Sequence, residues 1–286
     1  MKKVERQGVV ITGARGFIGS VLSKVLREAG YNVWGLYHTG RALNQEIQVD
    51  MLDATQVSNA LSQLPIFSVL IHTAALAHGQ RPPDGESCLS VNTRITDNLL
   101  QALQERLPRL IFLSSVAVYG EDGRRGPIQV SDDLRPASEY GKSKLISEKA
   151  IMASNLKHCE ILRLAPVFDE YHKRDVKKRA FLPGCPFLKI RLLPAPQHSF
   201  CHVETLVRLI LKLLDSPPNG LKIFNVADSE PYNQHDILEW FPGPSIPVPV
   251  AIMKPIYCLA RLVPGGKGYS MRCMYNKLFK SNIYQL

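Results

Sequence analysis

The chain lacks any apolar run long enough to cross a bilayer, which needs about 18 to 20 residues. Its most apolar stretch, 246–263, is interrupted by prolines, Lys254 and Arg261. There is no Cys-x-x-Cys pair. The six cysteines (Cys88, Cys159, Cys185, Cys201, Cys258 and Cys273) lie far apart, without metal-ligand or small-scaffold spacing. That usage reads as a reduced, cytoplasmic protein. Lys2 and Lys3 lead only to Val9–Ile11, too short an apolar run for a signal peptide. The 19 glycines and 20 prolines follow no period, so collagen-like and low-complexity readings fail. His72, His78 and His202 have no carboxylate or thiolate at ligand spacing, so no metal is expected. Aromatic residues are not interleaved with basic ones, which argues against nucleic acid as a partner.

What remains is globular. The 286 residues are 45% hydrophobic and 21% charged, enough for one large domain or two small ones. Thirty-five Lys and Arg against 25 Asp and Glu leave a net charge of +10. That charge suits an anionic partner, a phosphorylated small molecule among them, or simply a basic solvated surface.

The first half alternates strands and helices. Strands are predicted at Gly8–Thr12, Tyr31–Tyr37, Phe67–His72, Arg109–Ser114 and Cys159–Leu164. Helices are predicted at Ser20–Ala29, Thr55–Leu64, Ser90–Arg106 and Tyr140–Ser154. Such alternation predicts an α/β fold, a Rossmann-type doubly wound parallel sheet. Residues 169–200 are Pro-rich and basic with little periodicity. Val203–Leu214 reads as a helix and Lys222–Val226 as a strand. The expected organisation is a dinucleotide-binding domain over 1–165 and a smaller C-terminal substrate-binding lobe over 166–286, with 203–227 returning to the main sheet.

Gly13, Gly16 and Gly19 stand in a strand-to-helix turn, Thr12-Gly13-Ala14-Arg15-Gly16-Phe17-Ile18-Gly19. Glycine permits the tight turn and lets backbone approach a pyrophosphate, while the helix N-terminus offers N–H groups and partial positive charge. Tyr140 and Lys144, four apart on a predicted helix, share one face. A tyrosine is a poor base at neutral pH, and a neighbouring ammonium favours its phenolate. Ser115 ends a parallel strand, the edge where such sheets bind ligands.

Together these segments resemble the extended short-chain dehydrogenase/reductases, in their NAD-dependent epimerase/dehydratase branch. The signature Thr-Gly-x-x-Gly-Phe-Ile-Gly is met by further landmarks in order: Asp50-Met51, His72-Thr73-Ala74-Ala75, Val91-Asn92, Ser114-Ser115-Val116-Ala117-Val118-Tyr119-Gly120, Tyr140-x-x-x-Lys144, Ile161-Leu162-Arg163 and Phe200-Cys201-His202-Val203. The resemblance covers residues 8 to about 227. It implies Tyr140 as acid/base, Lys144 as its tuner and a ribose ligand, and Ser115 as substrate orienter. It implies cofactor contacts at Gly13, Arg15, Gly16, Phe17, Ile18, Gly19, His38, Asp50, Met51, Ala74, Ala75, Asn92, Tyr140 and Lys144. Arg163 and His198 become candidate substrate contacts.

Departures narrow the reaction. Val116 and Ala117 replace the Asp-Glu pair of the 4,6-dehydratases, and also offer no thiol of the GDP-fucose-synthase type. Hydride chemistry at one sugar carbinol is left: a nucleotide-sugar 4-epimerase or a 4-keto reductase, with a UDP-hexose expected. Shorter relatives serve surface polysaccharide synthesis. Leu36-Tyr37-His38 lacks the acid that would hold the ribose of NAD, while Arg15, His38 and Arg41 are basic, so the cofactor reading is NAD(P), tilted toward NADP. Pro166 replaces the Asn, and His198 the Arg, that grip a substrate diphosphate in the family. The basic run Lys173–Arg179 offers replacement charge or a solvated loop. Two other readings stay open: a reductase of a different alcohol or ketone, and a non-catalytic dinucleotide-binding regulatory protein. A homodimer is compatible with each.

Overall fold

The structure is a computed structural model. It describes residues 7–41, 43–76, 82–83, 85–104, 106, 108–120, 126–182, 185–252, 255, 258, 273 and 275–286. His78, Lys254 and Arg261 lie outside the described residues.

Chain order runs β1 (Gly8–Thr12), α1 (Phe17–Glu28), β2 (Asn32–Tyr37), β3 (Glu46–Gln48), α2 (Ala54–Gln63), β4 (Val69–His72), α3 (Cys88–Leu103) and β5 (Arg109–Ser115). There follow α4 (Glu139–Ala153), β6 (Cys159–Leu164), β7 (Val167–Phe168), α5 (Arg174–Lys177), β8 (Phe181–Leu182) and β9 (Cys185–Leu193). The rest is β10 (Gln197–His198), β11 (Cys201–His202), α6 (Val203–Leu214), β12 (Leu221–Val226), β13 (Tyr232–Asn233), α7 (Gln234–Glu239) and β14 (Ser245–Pro249).

Two compact units result. The first holds 1–118, 136–163 and 206–224; the second holds 119–135, 164–205 and 225–286. Residues 119–135 therefore leave the unit to which a single linear boundary would assign them.

The first unit contains a seven-stranded sheet in the order β12-β6-β5-β4-β1-β2-β3. Strand β1 pairs in parallel with β2 and β4, and β4 pairs in parallel with β5. This is the Rossmann-type sheet expected from the strand–helix alternation. Strands β1, β4, β5 and β6 are buried along nearly their whole length, so their β-branched and aliphatic runs need no polar face. Helix α2 starts where the Asp53 carboxylate accepts the Thr55 and Gln56 N–H groups. Helix α3 starts on a Ser87–Ser90 capping box. Helix α1 begins at Phe17, three residues before the sequence prediction, because its N-terminus is the glycine turn itself.

The second unit holds two small cores. One joins Phe168, Val176, Phe200, Ile237 and Leu238; the other joins Ile190, Leu192, Leu278 and Phe279. Strand β9, nine residues in the stretch where the sequence shows no period, pairs with β8 and β14. Residues 281–285 form a strand-like segment. Asn282 exchanges backbone hydrogen bonds with Gln197 and Ser199, and Gln285 donates to the Ile128 carbonyl.

Candidate active site

The turn between β1 and α1 requires glycine at two positions. Gly13 has φ of +67°, and a side-chain carbon there would sit 2.9 Å from the Ala74 backbone. One at Gly19 would lie 2.2 Å from the Gly13 carbonyl oxygen. Gly16 is the exposed N-cap of α1 and makes no side-chain capping hydrogen bond. Backbone N–H groups at a helix start with no side chain over them fit a dinucleotide pyrophosphate. Gly19→Ala should move the turn and weaken dinucleotide binding at least tenfold by calorimetry, about 1.4 kcal/mol. Unchanged affinity would show that the turn does not hold the cofactor.

The end of β4 is stitched to the same turn. The Ala74 N–H donates to Thr12 Oγ1 at 3.2 Å, and the Thr73 hydroxyl donates to the Thr12 carbonyl at 2.6 Å. Ala74 and Ala75 are half-buried beside it, as are Phe17 and Ile18 on the first turn of α1. The Asp50 carboxylate accepts the Leu52 N–H at 2.9 Å, and Met51 is buried against the sheet core.

Arg15 is not a free cation. Its Nε and Nη2 donate to Glu46 at 3.0 and 2.7 Å, and its guanidinium stacks on Tyr37 at 3.6 Å. It also donates to the Thr39 and Arg41 carbonyls. Glu46 stands opposite Gly35 in the register of β3 against β2. An acid therefore does lie at this edge of the sheet, one strand beyond the end of β2. The short polar segment Glu46-Ile47-Gln48 was the available signal for it. His38 is exposed.

Lys144 is buried on α4, and its Nζ donates to the Leu113 carbonyl at 2.8 Å. The ammonium lies 5.8 Å from the Tyr140 ring centre and 4.7 Å from that of Phe112. Burial pulls its pKa down to about 8, against the opposing pull of Glu148 and Cys88. Tyr140 is half-buried, one turn before Lys144. Ser115 closes β5, its Oγ accepting the Ala117 N–H at 3.2 Å.

His72 at the end of β4 shares a 2.7 Å hydrogen bond with Thr12 and stacks on Phe112. Burial, then the Lys144 charge, lowers its pKa to about 3, so it is neutral at physiological pH. Its Nε2 has no partner among the described residues.

Two of the expected contact residues, Asn92 and Arg163, have partners within the protein. The Asn92 amide is buried and occupied: Oδ1 accepts the Leu76 N–H at 2.6 Å, and Nδ2 donates to the Leu76 carbonyl and to Ser143 Oγ. It shapes the segment after β4 and ties α3 to α4. Arg163 is also occupied, because it grips Glu148 through Nε and Nη2 with both side chains at most 3% exposed. That pair joins β6 to α4. His198 belongs to the second unit and is 1% exposed. Among the described residues no three His, Cys, Asp or Glu side chains gather as a metal-holding group, and no helix is long and apolar enough to cross a membrane.

The model of the NAD dependent epimerase/dehydratase family matches residues 9–227. A UDP-glucose 4-epimerase of Vibrio cholerae is 27% identical over 242 residues, which are 81% of this chain and 72% of that protein. Methionine adenosyltransferase 2 subunit beta of Pongo abelii is 29% identical over 175 residues, 60% of this chain and 50% of that relative. The structure of MoeE5 in complex with UDP-glucose and NAD is 27% identical, with a TM-score of 0.63 over 81% of this chain and 80% of that one. With the glycine turn, the sheet order and the Tyr140–Lys144 pair already in hand, the match over residues 9–227 leads to one conclusion: this chain belongs to the NAD dependent epimerase/dehydratase family.

Proposed function

We propose that the chain is an NAD(P)-dependent nucleotide-sugar enzyme that moves a hydride at a sugar carbinol, as a 4-epimerase or a 4-keto reductase. A UDP-hexose is the favoured substrate, and precursor supply for surface polysaccharide is the role that suits it. One observation carries the reading: Tyr140 and Lys144 share a face of α4 in the unit where Ser115 ends β5 and the glycine turn opens α1.

Gly13, Gly16 and Gly19 would hold the pyrophosphate, and the bound dinucleotide supplies the hydride acceptor or donor. Tyr140 takes the carbinol proton in the oxidative direction and returns it in the reductive one. The Ser115 hydroxyl hydrogen-bonds the same oxygen and orients it. The Lys144 ammonium, 5.8 Å from the Tyr140 ring centre, favours the phenolate by charge. It also has further N–H donors, beyond the one Leu113 receives, for the cofactor ribose.

The test is a panel of UDP-hexoses and UDP-4-keto-hexoses with and without NADH or NADPH, with products identified by NMR. Interconversion without net cofactor consumption identifies an epimerase. Consumption of reduced cofactor with a 4-keto sugar identifies a reductase. Cofactor binding without turnover of any UDP-sugar overturns the reading. It would favour the regulatory alternative.

The preference between the two cofactors rests on Arg15. A 2′-phosphate would gain from its guanidinium, from His38 and from Arg41, but the Glu46 carboxylate offsets Arg15 at 2.7 Å. The tilt toward NADPH is therefore modest. Glu46→Gln should move the ratio of dissociation constants about tenfold further toward NADPH, about 1.4 kcal/mol. A ratio that does not move separates Arg15 from cofactor choice.

A further inference from the structure

The chain between Ser115 and Tyr140 is pinched twice. A side-chain carbon at Gly141 would lie 2.6 Å from the Ala117 carbonyl oxygen, so α4 starts against the backbone that follows β5. One at Gly120 would strike the Arg135 carbonyl. Beyond the second pinch, a single buried amide gathers the chain. Asn225, near the end of β12, accepts the Tyr119 hydroxyl at 2.6 Å. Its Nδ2 donates to the Ile128 carbonyl at 3.2 Å and to the Gln285 carbonyl at 3.0 Å. The Ile128 N–H donates to the Ile283 carbonyl at 2.8 Å, and the Ile128 carbonyl accepts the Gln285 N–H at 2.8 Å. Tyr284 stacks on Tyr119 with ring centres 6.1 Å apart, and its N–H donates to Ser199 Oγ at 3.2 Å. Tyr119, Ile128 and Asn225 are all buried.

An amide engaged through both its oxygen and its nitrogen has one orientation. Turning it over would set its oxygen against two carbonyls and leave buried groups unmet. Asn225 therefore fixes three pieces of chain together: the exit from β5, the middle of the connection to α4, and the segment 283–285. Tyr119 stands four residues after Ser115, and Arg135 five before Tyr140. The two proposed reacting side chains thus flank a connection that is held from far later in the chain. Few torsions lie between each pinch and its side chain, so a shift of the connection is passed on. A misplacement of about 1 Å at reacting atoms costs on the order of 10²-fold in rate.

We propose that Tyr119, Asn225 and Tyr284 are positioning residues: they latch residues 283–285 onto the connection between β5 and α4, and so set Ser115 against Tyr140. The latch assumes nothing about the reaction. Its catalytic consequence rests on the roles proposed above for Ser115 and Tyr140.

The experiment pairs hydrogen exchange of the full chain, read by mass spectrometry, with kinetics. Tyr284→Ala removes the stacked ring, Tyr284→Phe keeps it, and Tyr119→Phe removes the hydroxyl that Asn225 accepts. In Tyr284→Ala, exchange should rise at 126–130, where the latch engages. It should rise also at 115–118 and 138–142, where the Ala117, Gly141 and Lys142 N–H groups donate to Ser115 Oγ, Ser138 Oγ and the Ser138 carbonyl. Helices α1 and α3 should keep parental exchange. Dinucleotide affinity should be unchanged, while kcat on the UDP-sugar panel falls about 10- to 10²-fold. Tyr284→Phe should restore the parental pattern and rate, with Tyr119→Phe in between. The proposal is overturned if exchange stays parental throughout or rises at 126–130 alone. It is overturned equally if α1 and α3 loosen to the same degree, because the segment then only adds stability. Parental kcat in a variant that shows the expected exchange removes the positioning role. If the parent turns over no UDP-sugar, the proposed activity fails, and exchange at 115–118 and 138–142 still decides the latch.

Discussion

Tyr140→Phe is expected to lower kcat by about 10²–10⁴-fold, the usual contribution of a positioned acid–base group, while dinucleotide affinity changes little. The ring keeps its packing on α4 and only the exchangeable oxygen goes. Lys144→Met should cut turnover too, but should also weaken the cofactor, because the same ammonium would reach the ribose. Ser115→Ala should cost less than either, since it orients and does not exchange the proton. The pH profile carries a sign. Lys144 titrates near 8, so its charge is present below that pH and lost as pH rises through it. Turnover that depends on the ammonium therefore declines on the alkaline side from about pH 8. The stability effect runs the other way. Because the folded value lies below the ordinary 10.5, the burial cost of the charge is complete below pH 8 and is relieved between 8 and 10.5. Retention of more than about a tenth of parental turnover in Tyr140→Phe would remove the mechanism.

The first unit was readable because its signals are local. A buried parallel strand is a short apolar run, and a phosphate turn must have glycine where a side chain would strike backbone, as at Gly13 and Gly19. Tyr140 and Lys144 share a face because helical spacing places residues four apart on one side. What escaped the sequence reading depends on partners far along the chain. Glu46 looks like a surface acid until β3 sets it beside Arg15, 31 residues away. Arg163 looks like a lone cation until it is seen joined to Glu148 from α4. Strand β9 has too irregular a pattern of apolar positions for period counting. It is held by β8 and β14 and by Leu278 and Phe279 from much later in the chain. The second unit is assembled from three segments, and no linear boundary describes it.

Glu148→Ala should destabilise the protein by roughly 3–5 kcal/mol, the cost of removing one partner from a buried pair. Glu148 is fully buried and accepts from Arg163 at 2.8 Å through Nη2, from Arg163 Nε at 3.2 Å, and from the Ser114 hydroxyl. Its loss removes the carboxylate that the Arg163 guanidinium and the Ser114 hydroxyl share between β5, β6 and α4. At about 2–4 °C per kcal/mol for a chain of this size, Tm should fall by on the order of 10 °C. The site should feel it as well. Ser114 lies between Leu113, whose carbonyl holds Lys144, and Ser115, so the Glu148–Ser114 bond fixes the strand end that carries both. Glu148 also counters the downward pull of burial on the Lys144 pKa. A double variant, Glu148→Leu with Arg163→Met, removes the unpaired charge along with the pair. It should recover much of the lost stability, because apolar replacement of a buried pair is often neutral or favourable. Lys144 would still lack its carboxylate, so the alkaline decline in turnover should begin at lower pH than in the parent. Calorimetry on the three proteins and pH profiles of the parent and the double variant separate the two roles. A Glu148→Ala protein within about 1 kcal/mol of the parent would mean that the pair does not hold the sheet to α4. A double variant with the parental pH profile would mean that Glu148 has no hold on Lys144.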